Sequence, residues 1–207
     1  LYAWTNGAER MRIDTSGNVL IGSTLARSTG WTGALSALTV TKSSSNSVID
    51  LMTYSTVTNN TSVLVLGKSA SGVIGSNSET VNGQQLGAIS FEGVHIGGTR
   101  SPGASINAYQ TAAATATGIP SALAFSTYSG TALLERMRID SAGIIGVGVT
   151  PSAWNGNYRA IEIQNGSISS STSAAVRVNN NVVFGSSATT YKVTDFATSY
   201  LHYQGQH

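Results

Sequence analysis

The chain contains no cysteine, three prolines and few charges: 11 Lys+Arg and 9 Asp+Glu in 207 residues, a formal net charge of +2. The missing cysteine excludes a disulfide framework and any thiolate metal site. Charged residues make up 10% of the chain, against about 25% in ordinary globular proteins. A balance of +2 supplies no basic patch of the kind that nucleic acid or an anionic membrane requires, so neither partner is expected. Long apolar runs are also missing. The stretches Val63 to Leu66 and Ile144 to Val149 fall far short of the roughly 18 residues a membrane helix needs, and no membrane insertion is expected. No signal-peptide pattern opens the chain, which starts at Leu1 without an initiator Met and reads as part of something longer. Hydrophobic residues at 41%, combined with so little charge, argue against charge-driven disorder.

What the chain does contain is an internal repeat. Glu9-Arg10-Met11-Arg12-Ile13-Asp14 returns 126 residues later as Glu135-Arg136-Met137-Arg138-Ile139-Asp140, and the glycines Gly17 and Gly22 return as Gly143 and Gly148. Met11 and Ile13 alternate with Arg10, Arg12 and Asp14, the two-residue period of a strand with one buried face. Asp-x-x-Gly then predicts a turn: Asp14 bonds backbone two residues on, Gly17 takes positive φ, and Val19 and Ile21 restart the alternation. Two β-hairpins are therefore predicted, over 9–22 and 135–148. Tyr2 precedes Tyr128 by the same 126 residues, so the repeat is expected to begin before Leu1.

The two six-residue runs hold eight of the 20 charged residues. Two readings are open for Glu9, Arg10, Arg12 and Asp14, and for Glu135, Arg136, Arg138 and Asp140. One is a solvated strand face, on which each ion pair contributes about 0 to 1 kcal/mol. The other is a pairing device, in which the arginines make bidentate bonds to neighbouring strands or to another copy of the chain.

Elsewhere short apolar alternations recur between Ser/Asn/Thr/Gly clusters: Leu38/Val40, Ile49/Leu51/Thr53, Val63 to Leu66, Leu86 to Phe91, Ile106 to Tyr109, Leu123 to Thr127, Ile161/Ile163, Val176/Val178, Val182 to Phe184 and Tyr191/Val193. A strand every 10 to 14 residues or so predicts an all-β fold. Thr111 to Thr117 is read as a wide loop or irregular turn rather than a helix, and Ser167 to Ser173 and Asn179-Asn180-Asn181 as turns. The organisation expected is the end of one repeat over 1–35, a full repeat over 36–149 that closes a small β-sandwich or β-prism, and an incomplete third over 150–207.

Candidate chemistry is sparse. Glu79 and Glu92 are the most plausible carboxylate couple, but strand and loop carboxylates this scattered usually serve turns and ion pairs, so no enzyme is expected. His95 lies three residues from Glu92, an odd spacing that puts the two on opposite faces of a regular strand. His202 and His207 have no cysteine or helix to gather them, and no metal or cofactor is assigned. Gly143 to Gly148 lacks the Lys-Ser/Thr pair and the helix of a phosphate loop. Trp31 and Trp154 each fall between a hairpin and the strand after it. They can seal those junctions or stack on sugars.

The repeated Glu-Arg-Met-Arg-Ile-Asp-x-x-Gly hairpin resembles one that recurs in the shaft and spacer regions of bacteriophage tail fibres. Gly83 to Phe91, Pro120 to Thr127, and Pro151-Ser152-Ala153-Trp154 with Tyr158 to Ile163 are similar to further signatures of such repeats, and together they span most of the chain. Gly146 to Thr150 is looser than the usual run, and nothing resembles the self-cleaving chaperone domain that often ends these fibres. The resemblance implies an elongated homotrimeric fibre in the virion, outside the cell. There it would support adhesion to a host surface glycan or protein and bind neighbouring tail or baseplate proteins. The rival classes are a glycan-cleaving tailspike and a bacterial trimeric surface adhesin.

Overall fold

The computed structural model describes residues 1–26, 29–30, 36–43, 46–172, 175–185, 189–192 and 198–203. It is all-β, with no helix among the described residues. The chain divides into two units, Leu1–Val65 with Glu92–Pro102, and Leu66–Phe91 with Gly103–His207.

The first unit holds β1 (Tyr2–Thr5), β2 (Ala8–Ile13), β3 (Val19–Ile21) and β4 (Leu38–Val40) in one sheet of that order. β1 and β2 are antiparallel around Asn6-Gly7, both at positive φ, 51° and 69°, which is the turn that matches the twist of a two-residue hairpin. β2 and β3 are antiparallel, whereas β4 lies parallel to β3. The register corrects one expectation. Tyr2 lies opposite Arg12, and the residue opposite Arg138 is Ala124, not Tyr128. The hairpin loop before the first run is shorter than that before the second, so the spacing of the tyrosines is coincidental.

Strands β5 (Gln85–Val94) and β6 (Arg100–Gln110) begin the larger sheet, and their tip, Glu92–Pro102, clusters with the first unit. The sheet continues through β7 (Ser121–Tyr128), β8 (Leu133–Ile139), β9 (Ile145–Val147), β10 (Tyr158–Ile163), β11 (Gly166–Ser171) and β12 (Ala175–Asn180). A separate pair, β13 (Val182–Phe184) and β14 (Thr189–Tyr191), follows, and β15 (Thr198–Tyr203) returns to lie beside β12. β9 and β10 are parallel, like β3 and β4. β4 pairs with β3 and β7 with β8, so each hairpin has a strand of the stretch 36–134 beside it.

Residues 46–84 form no strand, contrary to the alternation at Ile49/Leu51/Thr53 and the run Val63 to Leu66. Their apolar side chains are exposed and no neighbouring strand offers them a ladder, without which an extended segment is not a β-strand. Thr111 to Thr117 does form an irregular turn, closed by a bridge between Thr115 and Gly118.

Candidate functional site

The two charged hairpins share one atomic plan. Between β1 and β2 the register skips Arg10, and between β7 and β8 it skips Arg136, so each arginine is the extra residue of a β-bulge. On a regular strand, positions three apart face opposite sides, and a bulge resets that alternation. Glu9 and Arg12 therefore share a face and form a bidentate ion pair. Glu135 and Arg138 do the same at 2.7 Å for both bonds. The Arg12 guanidinium holds the Glu9 carboxyl below its usual range, and Glu135 raises the Arg138 guanidinium. Each bulged arginine turns back to its partner strand, with Arg10 Nε donating to Thr5 Oγ1 at 2.8 Å and Arg136 Nε to Thr127 Oγ1 at 3.0 Å. The paired charges are thus satisfied inside one chain.

The aspartates build the turns. Asp14 Oδ1 accepts the N–H groups of Ser16 and Asn18, both at 2.9 Å. Asp140 Oδ1 accepts those of Ala142 at 2.9 Å and Ile144 at 2.8 Å. The side-chain and backbone donors of Asn18, with that of Ser16, lower the Asp14 carboxyl below its ordinary value. Gly17 and Gly143 take φ of 82° and 78°, the left-handed conformation that these turns need. Gly22 and Gly148 end each plan by donating to the carbonyl of the bulged arginine, at 3.0 and 2.9 Å.

Beyond the second hairpin lies a cluster that sequence reasoning missed. Glu162, with none of its surface exposed, accepts from Ser152 N at 2.8 Å, Ser152 Oγ at 3.0 Å, Trp154 Nε1 and Lys192 Nζ. Burial raises its carboxyl, and the bonds from Lys192, Trp154 and Ser152 outweigh that and hold it below its ordinary value. Trp154 is buried with Ile144, Ala160 and Val183. Its ring lies 5.9 Å from Tyr158 and 6.2 Å from Phe184, so it packs within this buried cluster. Trp31 lies outside the described residues.

The sheet of β10, β11, β12 and β15 is inverted. Ile161, Ile168, Val178 and Tyr200 are directly opposite one another in successive strands, and all are exposed, at 41%, 48%, 53% and 71%. Ile163 and Val176 lie on the same face and are exposed too. The buried row is Glu162, Ser167 and Asn179. Asn179 Nδ2 donates to Ser167 Oγ at 3.1 Å and Ser169 Oγ at 3.2 Å, and Asn179 Oδ1 accepts from Ser199 Oγ at 2.7 Å. Ser167 to Ser171 and Asn179-Asn180 are consequently strand, not the turns their composition predicts, because the polar side chains satisfy one another across the ladder.

The remaining candidates serve local structure. Glu92 pairs with Arg100 at 3.0 Å and accepts Gly30 N at 3.0 Å. His95 Nδ1 accepts Gly97 N at 3.0 Å in the β5–β6 turn. Among the described residues no group of three or more His, Cys, Asp or Glu could hold a metal ion. Among the described residues no helix is long and apolar enough to cross a membrane.

Fold and site together define a class: an all-β chain with repeated, internally ion-paired hairpins and an outward-facing apolar sheet surface. No family model matches the chain, and no curated protein does. Among solved structures, the carboxy-terminal domain of the bacteriophage T5 L-shaped tail fibre is similar, with a TM-score of 0.39 and 18% identity. That likeness covers 53% of this chain and 40% of that one.

Proposed function

We propose that the chain is a structural segment of a homotrimeric phage tail fibre. In this reading it carries no enzymatic activity. It stands in the virion, outside the cell, and supports adhesion to the host surface by bearing a receptor-binding part and joining neighbouring tail or baseplate proteins. The hairpin resemblance supports the fibre. The observation that carries self-association is the exposed apolar face of β10, β11, β12 and β15.

Its six exposed side chains present on the order of 600 Å² of apolar surface, close to the roughly 800 Å² per partner of a stable interface. Covering this face by other copies would remove its apolar side chains from water, which favours association. The opposite face of these strands carries the polar row Glu162, Ser167 and Asn179, buried and already hydrogen-bonded, so the apolar face is the one this part of the sheet offers to a partner copy.

Light scattering with sedimentation tests the reading. A mass of three times 21.3 kDa is expected, with Ile168→Asp plus Val178→Asp lowering it. A wild-type chain that stays at 21.3 kDa at all concentrations overturns it.

A further inference from the structure

The first repeat leaves open a sheet edge that the second repeat covers. Arg12, Leu20 and Thr39 stand opposite one another across β2, β3 and β4. Arg138, Gly146 and Glu162 do the same across β8, β9 and β10, so β4 is the counterpart of β10. Beyond β10 the sheet continues with β11, antiparallel to it. Beyond β4 no described strand follows. Ala37 O and Thr41 N bond to β3, and successive residues of a strand aim their backbone groups to opposite sides, so those of Leu38 and Val40 aim outward. Beside them lies a cleft of about 450 Å³, lined also by Val94 and Arg100 of the same unit. Such an edge is a template for one more strand.

The same unit holds a strand pattern without a sheet. After the polar stretch 41–47, Ile49, Leu51 and Thr53 alternate with Val48, Asp50 and Met52. Val48, Ile49, Leu51 and Met52 are each more than half exposed, and the segment forms no strand. In chain order it stands after β4 where β11 stands after β10. Edge and segment both belong to Leu1–Val65, yet the segment does not pair with its own β4.

We propose that residues 48–53 of one copy add as an antiparallel strand to the outer edge of β4 of a neighbouring copy. This rests on the reading that copies associate, and it adds a contact made by main-chain hydrogen bonds, separate from the apolar face of β10, β11, β12 and β15. The side chains set the register. With Asp50 opposite Thr39, Leu51 meets Leu38 and Ile49 meets Val40, which keeps apolar residues on one face. A slip of one residue would turn Asp50 to that face instead. Each copy gives one segment and receives one, a head-to-tail exchange that a rotation closes into a ring. Closure leaves no β4 edge open to further chains.

The chain has no cysteine, so an introduced pair reports the contact. Opposed residues of a hydrogen-bonded antiparallel pair have Cα atoms about 5.5 Å apart, within reach of a disulfide. The full chain carrying both Val40→Cys and Ile49→Cys is oxidised mildly after assembly. It is expected to link chain to chain and to run under denaturing, non-reducing conditions at three times 21.3 kDa. Amide exchange on the wild-type chain reads the same contact without substitution: residues 48–53 are expected to exchange about a hundredfold more slowly when assembled than when diluted to single chains. A disulfide closed within one chain, no disulfide at unchanged solution mass, or slow exchange confined to 63–66 overturns the inference and leaves self-association standing. A wild-type chain that stays at 21.3 kDa at all concentrations overturns both.

Discussion

Glu135 and Arg138 stand three residues apart on one strand and point to the same side of it, joined by two bonds of 2.7 Å. The bulge at Arg136 makes this possible. Because the pair closes within β8, its removal is expected to act on stability and not on assembly. A double-mutant cycle of Glu135→Ala and Arg138→Ala is expected to give a coupling of about 1 kcal/mol for this partly exposed pair. Solution mass is expected to stay constant, and a change in mass with either variant would place the pair's partner outside the chain.

Gly22 and Gly148 end equivalent hairpins at φ of 72° and 66°, and alanine at either position is expected to cost about 1 kcal/mol for the left-handed backbone alone. Their surroundings differ. A Cβ at Gly22 would collide with the carbonyl oxygen of Thr41, whereas nothing lies within 4 Å of one at Gly148. Thermal unfolding is therefore expected to drop further for Gly22→Ala than for Gly148→Ala.

Glu162 ties stability to pH. Its folded carboxyl titrates below the ordinary 4.5, so its contribution is complete above that value and is lost as pH falls through the folded one. Unfolding midpoints measured down this range are expected to fall less steeply for Glu162→Gln than for the wild type. At neutral pH, Glu162→Ala takes the counter-charge from the Lys192 ammonium, which keeps only the Gln164 carbonyl, and is expected to cost about 3 to 5 kcal/mol.

Asn179 holds three serines with one side chain. Asn179→Ala leaves the Ser167 and Ser169 hydroxyls without their Asn179 donor, and the expected loss is about 1 to 3 kcal/mol in denaturant unfolding.

The hairpins were legible because their signals are local: the Asp-x-x-Gly turn and the alternation of Met11 and Ile13 lie within a few residues of one another. Asn6-Gly7, an equally local signal, was available and overlooked. The bulges at Arg10 and Arg136 were not legible, since a bulge is a relation to a partner strand and leaves no mark in composition. Glu162 was hidden by the opposite problem. Ile161 and Ile163 flank it in an ordinary alternation, which says that the two faces differ but not which one is covered. The structure buries the polar face, and the same inversion explains why the serines of β11 read as a turn. Ile49 to Thr53 and Val63 to Leu66 carried the apolar alternation of strands, but pairing needs a neighbour that no local pattern supplies.

The charged run has one consequence for how a chain of this kind can grow. Each six-residue run contains two arginines and two acids. The bidentate pair and the aspartate turn confine those charges to a single hairpin. Adding another copy of the run therefore adds no net charge and no long-range repulsion between copies, so the number of hairpins can vary while the electrostatic character of the whole stays the same.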